Sequence, residues 1–392
     1  MPIRTFTTEH LRATGSLKWT GITRSDGSPT LGAWVAEMDF GTAPEVEEAI
    51  TRAIHDGFLG YPPPWLTPRL QEATANFQAR RFGWDISPDA VRSVPAVLPA
   101  LVKTIEHLTK PGSAVIVPTP AYMPFLTIPG LLNRRVIEVP SLHGVHAGGV
   151  GWRLDLTRIE DALKAGAGLV ILCNPWNPTG RVLSEEELRA VYEVVSRYDA
   201  LVFSDEIHSP LILDETPFIS YARLGEEFAA HTVTATAATK GWNTAGLPNA
   251  QVILTDPDLR ARWDGIPHGV DDYPVSLGVL GTIAAYEKGE AWLDEVIALI
   301  RKNTHGIQHI LSTHNIDYTP PQATYLTWWG MQNHDFGDLQ PATYIREYAG
   351  VAVNAGKTLG EDWNQWIRVN LACSLEASLD IVDRIVSALP EK

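Results

Sequence analysis

The middle of the chain alternates short apolar runs with helical patterns. Residues 113–117 (SAVIV), 169–173 (LVILC) and 200–204 (ALVFS) are apolar, rich in β-branched residues and bounded by turn formers. Such runs predict strands covered on both faces. Residues 233–237 and 251–254 (QVIL) fit the same pattern less strongly. Between two of these runs lies SEEELRAVYEVVSRYD, in which Ser184 and Glu187 have the spacing of a capping box. Leu188, Val191, Val194 and Val195 recur at helical spacing as one apolar stripe. Strand–helix–strand alternation predicts an α/β fold with a mostly parallel sheet covered by helices. In such sheets ligands collect outside the carboxyl ends of the strands.

From about Ala284 the pattern changes. EAWLDEVIALIRKNTHGIQHIL predicts one long helix, ATYLTWW a strand, and residues 375–389 a final helix. The early apolar stretch LGAWVAEMDF is expected to pack with this C-terminal part. The division expected is therefore an N-terminal segment (1–48), a large domain (49–283) and a smaller α/β domain (284–392). Internal repeats, low-complexity segments and long linkers are absent from the sequence.

Charge narrows the partners. The net charge of −15, with no basic run, argues against nucleic acid. The first residues lack the apolar core of a secretory signal. No window has the run of ~18 apolar residues that a membrane span needs. Cys173 and Cys373 form neither a metal-ligand motif nor a disulfide framework. A soluble protein of a reducing cytoplasm, without a metal or a membrane partner, is expected.

Four separated segments carry candidate chemistry. Lys240 sits in TATAATKGWNTAGL among small residues, a setting suited to a confined site. Lysines more often keep their ammonium in water, so a surface reading competes. CNPWNPTGRVL follows an apolar strand, and its two Asn-Pro pairs and glycine predict a rigid turn presenting Asn177. In FSDEIHSPL, Asp205 and His208 end another strand, although such an aspartate can simply cap a helix. Arg368 lies inside the apolar run WIRVNLAC, where a carboxylate ligand or an internal salt bridge would satisfy it.

The order NPTG, strand-end Asp, Lys, late Arg resembles the fold-type I pyridoxal phosphate (PLP) enzymes, the aspartate aminotransferase superfamily, over nearly the whole chain. WVAEMDF, GYPPP at Gly60, VPTPAYMPF at Val117, DEIH at Asp205, ATKGWNTAGL and QATYLTWW at Gln322 are similar to the cystathionine β-lyase branch containing MalY, PatB and the AecD-type C–S lyases. The Lys-x-Trp-Asn run looks most like the AecD type. The resemblance implies that Lys240 holds PLP as a Schiff base and acts as the base at the substrate Cα. It implies that Asp205 pairs with the pyridine nitrogen, Asn177 donates to the phenolic oxygen and Tyr122 stacks on the ring. Arg368 would clamp the substrate α-carboxylate, helped by the backbone around Ala36. Phosphate would sit on the N–H groups of Ala96, Val97 and Leu98, with the Thr239 hydroxyl nearby. Tyr61 matches a tyrosine that reaches the neighbouring subunit's phosphate and substrate, which implies a homodimer with shared sites.

Two departures from the aminotransferases agree with the β-lyase branch. His208 stands where many of them have tyrosine, and GLPNAQ lacks their phosphate-gripping arginine. His208 would contact the cofactor oxygen or orient Asp205. Trp176 and Trp242 beside the motifs would line the pocket or fill the core. The activity implied is β-elimination from L-cystathionine or related cysteine S-conjugates, giving thiol, pyruvate and ammonia. An aminotransferase using the same cofactor is the alternative, and a MalY-like regulator acting through protein contacts is a further one.

Overall fold

The computed structural model describes residues 3–146, 149–267 and 274–390. A seven-stranded sheet is formed by β1 (Val91–Val94), β2 (Val115–Thr119), β3 (Val136–Pro140), β4 (Leu169–Cys173), β5 (Leu201–Asp205), β6 (Thr232–Thr236) and β7 (Ala250–Ile253). Its order is β1-β7-β6-β5-β4-β2-β3. Only β7 runs antiparallel to its neighbours; the other pairings are parallel. The chain therefore has the mostly parallel α/β architecture that its sequence implies.

The five strands expected from apolar runs all form, shifted by two residues at most. The first starts at Val115 because Ser113 closes a turn, its N–H bonding the Lys110 carbonyl at 3.1 Å. The helix Glu185–Val195 starts on the expected capping box, with Ser184 and Glu187 each bonding the other's backbone N–H. Leu188, Val191, Val194 and Val195 are buried against β4 and β5, packing with Val170, Leu172 and Val202. Burying such a side chain is worth about 1.5–3 kcal/mol, so this stripe supplies much more than helix propensity could.

A second, antiparallel sheet comprises Asp317–Tyr318, Leu326–Gly330, Trp366–Asn370 and Asn354–Ala355, in that spatial order. Leu31–Gly32 pairs in parallel with Val351–Ala352, which fastens the N-terminal segment to this region. Two sequence expectations need correction. The long helix after Glu290 is two helices, Glu290–Gly306 and Gln308–Thr313. The change of pattern at Ala284 falls inside the helix Ser276–Lys288, so no element boundary lies there. That helix is largely buried between neighbours and lacks a clean polar face, which hides its period in the sequence.

Candidate active site

A cavity of about 450 Å³ opens where the loops after the strands meet the second sheet. Ala96 caps the helix Val97–Lys103 after β1, Val97 and Leu98 open it, and Tyr122 follows β2. Asn177 follows β4, Asp205 ends β5 with His208 just beyond it, and Thr239 and Lys240 follow β6. Arg368 enters from the second sheet and Ala36 from the N-terminal segment. Every candidate except Tyr61 and the two tryptophans, Trp176 and Trp242, lines this one cavity. Tyr61 is 97 % exposed and stands outside it.

Lys240 is partly buried, and its Nζ donates to the Ala36 carbonyl at 3.0 Å. Burial, reinforced by the Arg368 charge, brings its ammonium down to about 8. Glu37 and Asp205 oppose that shift. An amine this close to neutrality suits nucleophilic and proton-abstracting work better than a solvated one. The surface reading of Lys240 is therefore set aside.

Asp205 is buried at the end of β5, and its Oδ1 accepts the Ile207 N–H at 3.1 Å. Burial raises its carboxyl to about 6, against the pull of that N–H and of Lys240. The Cys173 thiol is 3.9 Å from Oδ2, a weak sulfur contact. A carboxyl so poorly compensated is poised for a cationic partner. His208 is buried and pushed down to about 3, first by burial and then by Lys240 and Arg368. It is neutral, and its Nδ1 has no hydrogen-bond partner among the described residues.

Arg368 is buried on its strand and remains cationic, although burial lowers it to about 10. Nη1 donates to Asn177 Oδ1 at 3.2 Å, while Nη2 donates to Asn354 Oδ1 at 2.7 Å and the Trp34 carbonyl at 3.2 Å. Its partners among the described residues are amide oxygens and a carbonyl, so the internal salt bridge does not form. Nε is buried without a partner. A buried cation with spare donors facing a cavity suits a carboxylate ligand.

The segment around Ala36 is held from both sides. Asn370 Nδ2 donates to the Val35 and Glu37 carbonyls at 2.6 and 2.7 Å. Asn243, three residues after the lysine, donates to the Met38 and Gly41 carbonyls and accepts the Met38 N–H at 2.8 Å. The Tyr325 hydroxyl shares the Ala36 carbonyl with Lys240, at 3.0 Å. Beneath it, Lys18 pairs with Asp39 at 2.9 Å in the interior, and Trp19 Nε1 donates to the other carboxylate oxygen. No motif in the sequence marks Asn354, whereas Asn243, Tyr325 and Asn370 lie within ATKGWNTAGL, QATYLTWW and WIRVNLAC.

Trp176 and Trp242 are core residues, 2 % and 0 % exposed, and neither lines the cavity. Trp242 packs edge-on to Phe77 and Tyr286. Gly180 in NPTG has φ +71°, and a Cβ there would meet Pro321 Cβ at 2.2 Å, so glycine is needed for the turn to dock. Asn249, in the run without arginine, lines the cavity and donates to Ser93 Oγ at 3.0 Å.

The groups present fit PLP. A buried amine suits its aldehyde, and a buried carboxyl suits a protonated ring nitrogen. The free N–H groups starting the helix Val97–Lys103 suit its phosphate.

The chain belongs to the aminotransferase class I and II family, whose model matches residues 35–385. It is 35% identical to the cystathionine β-lyase of Corynebacterium glutamicum, over 97% of this chain and 98% of that one. It is 31% identical to the cystathionine β-lyase PatB of Bacillus subtilis, with 97% and 98% covered. Among solved structures, a putative PLP-dependent β-cystathionase from Corynebacterium diphtheriae superposes with a TM-score of 0.90, at 34% identity and 98% coverage of both chains.

Proposed function

We propose that this chain is a PLP-dependent carbon–sulfur β-lyase. It converts L-cystathionine or a related cysteine S-conjugate, with water, into the free thiol, pyruvate and ammonia. The observation that carries this reading is the pairing of Lys240, brought close to neutrality, with the carboxylate-binding Arg368 across one cavity. Full-length similarity to cystathionine β-lyases supports the choice of elimination over amino transfer.

Bound PLP supplies the sink for the electron pair left at Cα. Arg368 binds the substrate carboxylate and so orients the Cα–H bond towards Lys240. The Nζ of Lys240 would hold the cofactor by its aldehyde and would serve as the base for the Cα proton, with the thiolate leaving Cβ. Asp205 keeps the ring nitrogen protonated, and Asn177 donates to the phenolic oxygen. The Tyr122 ring limits tilting of the pyridine. The N–H groups of Ala96, Val97 and Leu98, with the Thr239 hydroxyl, hold the phosphate. Neutral His208 orients Asp205 or meets the same phenolic oxygen.

The protein acts as a homodimer in which Tyr61 completes the neighbouring subunit's phosphate and substrate site. Its exposure in the single chain supports that reading. It works in the cytoplasm, in methionine biosynthesis where the substrate is L-cystathionine, and its partners are small amino acids rather than nucleic acid or membrane. Among the described residues no helix is long and apolar enough to cross a membrane. The division is the one expected from sequence, an N-terminal segment (1–48), a PLP-binding domain (49–283) and a small domain (284–392), with its two boundaries lying within the helices Pro44–His55 and Ser276–Lys288 rather than between elements.

The test is incubation of purified holoenzyme with L-cystathionine and simple S-alkylcysteines, measuring thiol, pyruvate and ammonia together. Equal amounts of the three are expected. Transfer of the amino group to a keto acid without pyruvate release would instead assign an aminotransferase.

A further inference from the structure

An arginine has five N–H donors and no acceptor. Each amide that meets Arg368 must therefore offer its oxygen, which fixes the rotation of both Asn177 and Asn354. Asn354 stands directly opposite Arg368 in the antiparallel pairing of Asn354–Ala355 with Trp366–Asn370. Residues in that relationship send their side chains to the same face, here the cavity face. With Oδ1 committed at 2.7 Å, Asn354 Nδ2 makes no hydrogen bond among the described residues. It is a donor at the rim of the carboxylate receptor, next to a cation.

We propose that Asn354 is a substrate-binding residue, its Nδ2 donating to the same α-carboxylate that Arg368 binds. The inference rests on the reading of Arg368 as the carboxylate anchor. Asn354 thus has two linked roles on one amide. Its oxygen draws the guanidinium into place, and its nitrogen closes on the substrate oxygen beside it. Hydrogen bonds to charged groups are the stronger kind, so losing this donor should weaken binding about tenfold.

The experiment is a spectral titration of holoenzyme with 2-aminoisobutyrate, which has the amine and carboxylate of a substrate but no Cα proton. Isopropylamine, which lacks the carboxylate, is the control. Asn354→Ala should keep its bound-cofactor absorbance, bind 2-aminoisobutyrate about tenfold more weakly and bind isopropylamine as the parent does. Asn354→Asp keeps the size and the acceptor for Arg368 but has no donor, and should bind 2-aminoisobutyrate at least as weakly as the alanine variant. Parent-like affinity in Asn354→Asp would mean that only the acceptor matters, and would overturn the proposal. Parent-like affinity in Asn354→Ala would overturn it as well. Because the ligand reacts no further, the result stands apart from whether the enzyme eliminates or transaminates.

Discussion

Lys18 and Asp39 form an ion pair of 2.9 Å inside the protein, with side chains 0% and 5% exposed. The pair anchors the segment whose Ala36 carbonyl meets Lys240. Removing one partner leaves the other charge buried, a loss of about 3–5 kcal/mol. Asp39→Ala should therefore lower the thermal midpoint sharply. The double variant Lys18→Met/Asp39→Leu should recover most of it, because the desolvation cost of both charges disappears. An unchanged midpoint in Asp39→Ala would remove the anchor role.

Lys240→Ala should lose two properties together. The visible absorbance of lysine-linked cofactor should vanish, and pyruvate release should fall by several orders of magnitude. Lys240→Arg keeps the charge but not the nucleophile, and should fail in the same way. Absorbance spectra and a coupled pyruvate assay would check both.

Glu206, next to Asp205, gives a pH dependence of stability. Its buried carboxyl accepts from the Ser204 and Ser220 hydroxyls at 2.8 Å and from the Tyr221 N–H at 3.3 Å, all on one oxygen. Burial still dominates and raises it to about 8, with the three donors acting in the opposite sense. The unfolded chain ionises near the ordinary 4.5, whereas the native state keeps its proton to about 8. Between those values the native state binds more protons, so stability falls as pH rises. Glu206→Gln keeps the acceptor oxygen and cannot ionise. It should unfold several degrees above the parent at pH 8.5, an effect on the order of a few kcal/mol, with the gap closing towards pH 5. Equal midpoints at pH 8.5 would contradict this.

Tyr61 offers a test of shared sites. Sedimentation at micromolar concentration should give a dimer. Tyr61→Phe should leave that dimer intact while raising the Kd for PLP about tenfold, as expected for loss of a hydrogen bond to a charged group. Equilibrium dialysis measures the second quantity. A monomer that binds PLP as tightly as the dimer would rule out the arrangement.

The sequence was most informative where one residue type answers one local need. Capping by Ser184 and Glu187 requires only a turn of helix, and apolar runs such as LVILC form strands because both their faces are covered. Lys240, Asp205 and Asn177 were legible because each follows a strand that periodicity already located. β1 and β3 were not, since VRSV and VIEVP carry charged or polar residues and lie at the two sheet edges. The roles of Asn243 and Asn370 were hidden for another reason. Their acceptors are main-chain carbonyls of residues far away in sequence, and a carbonyl has no letter in the sequence.

Ala36 carries that last point furthest. Its contribution to Lys240 and Tyr325 is an oxygen that every amino acid possesses. Truncation mutagenesis is blind to it, because the residue is already the one such scans introduce. An inventory of important side chains would pass over a position touching the most important lysine in the protein. Backbone chemistry, such as replacing the following amide by an ester to weaken that carbonyl, would reveal it where side-chain replacement cannot.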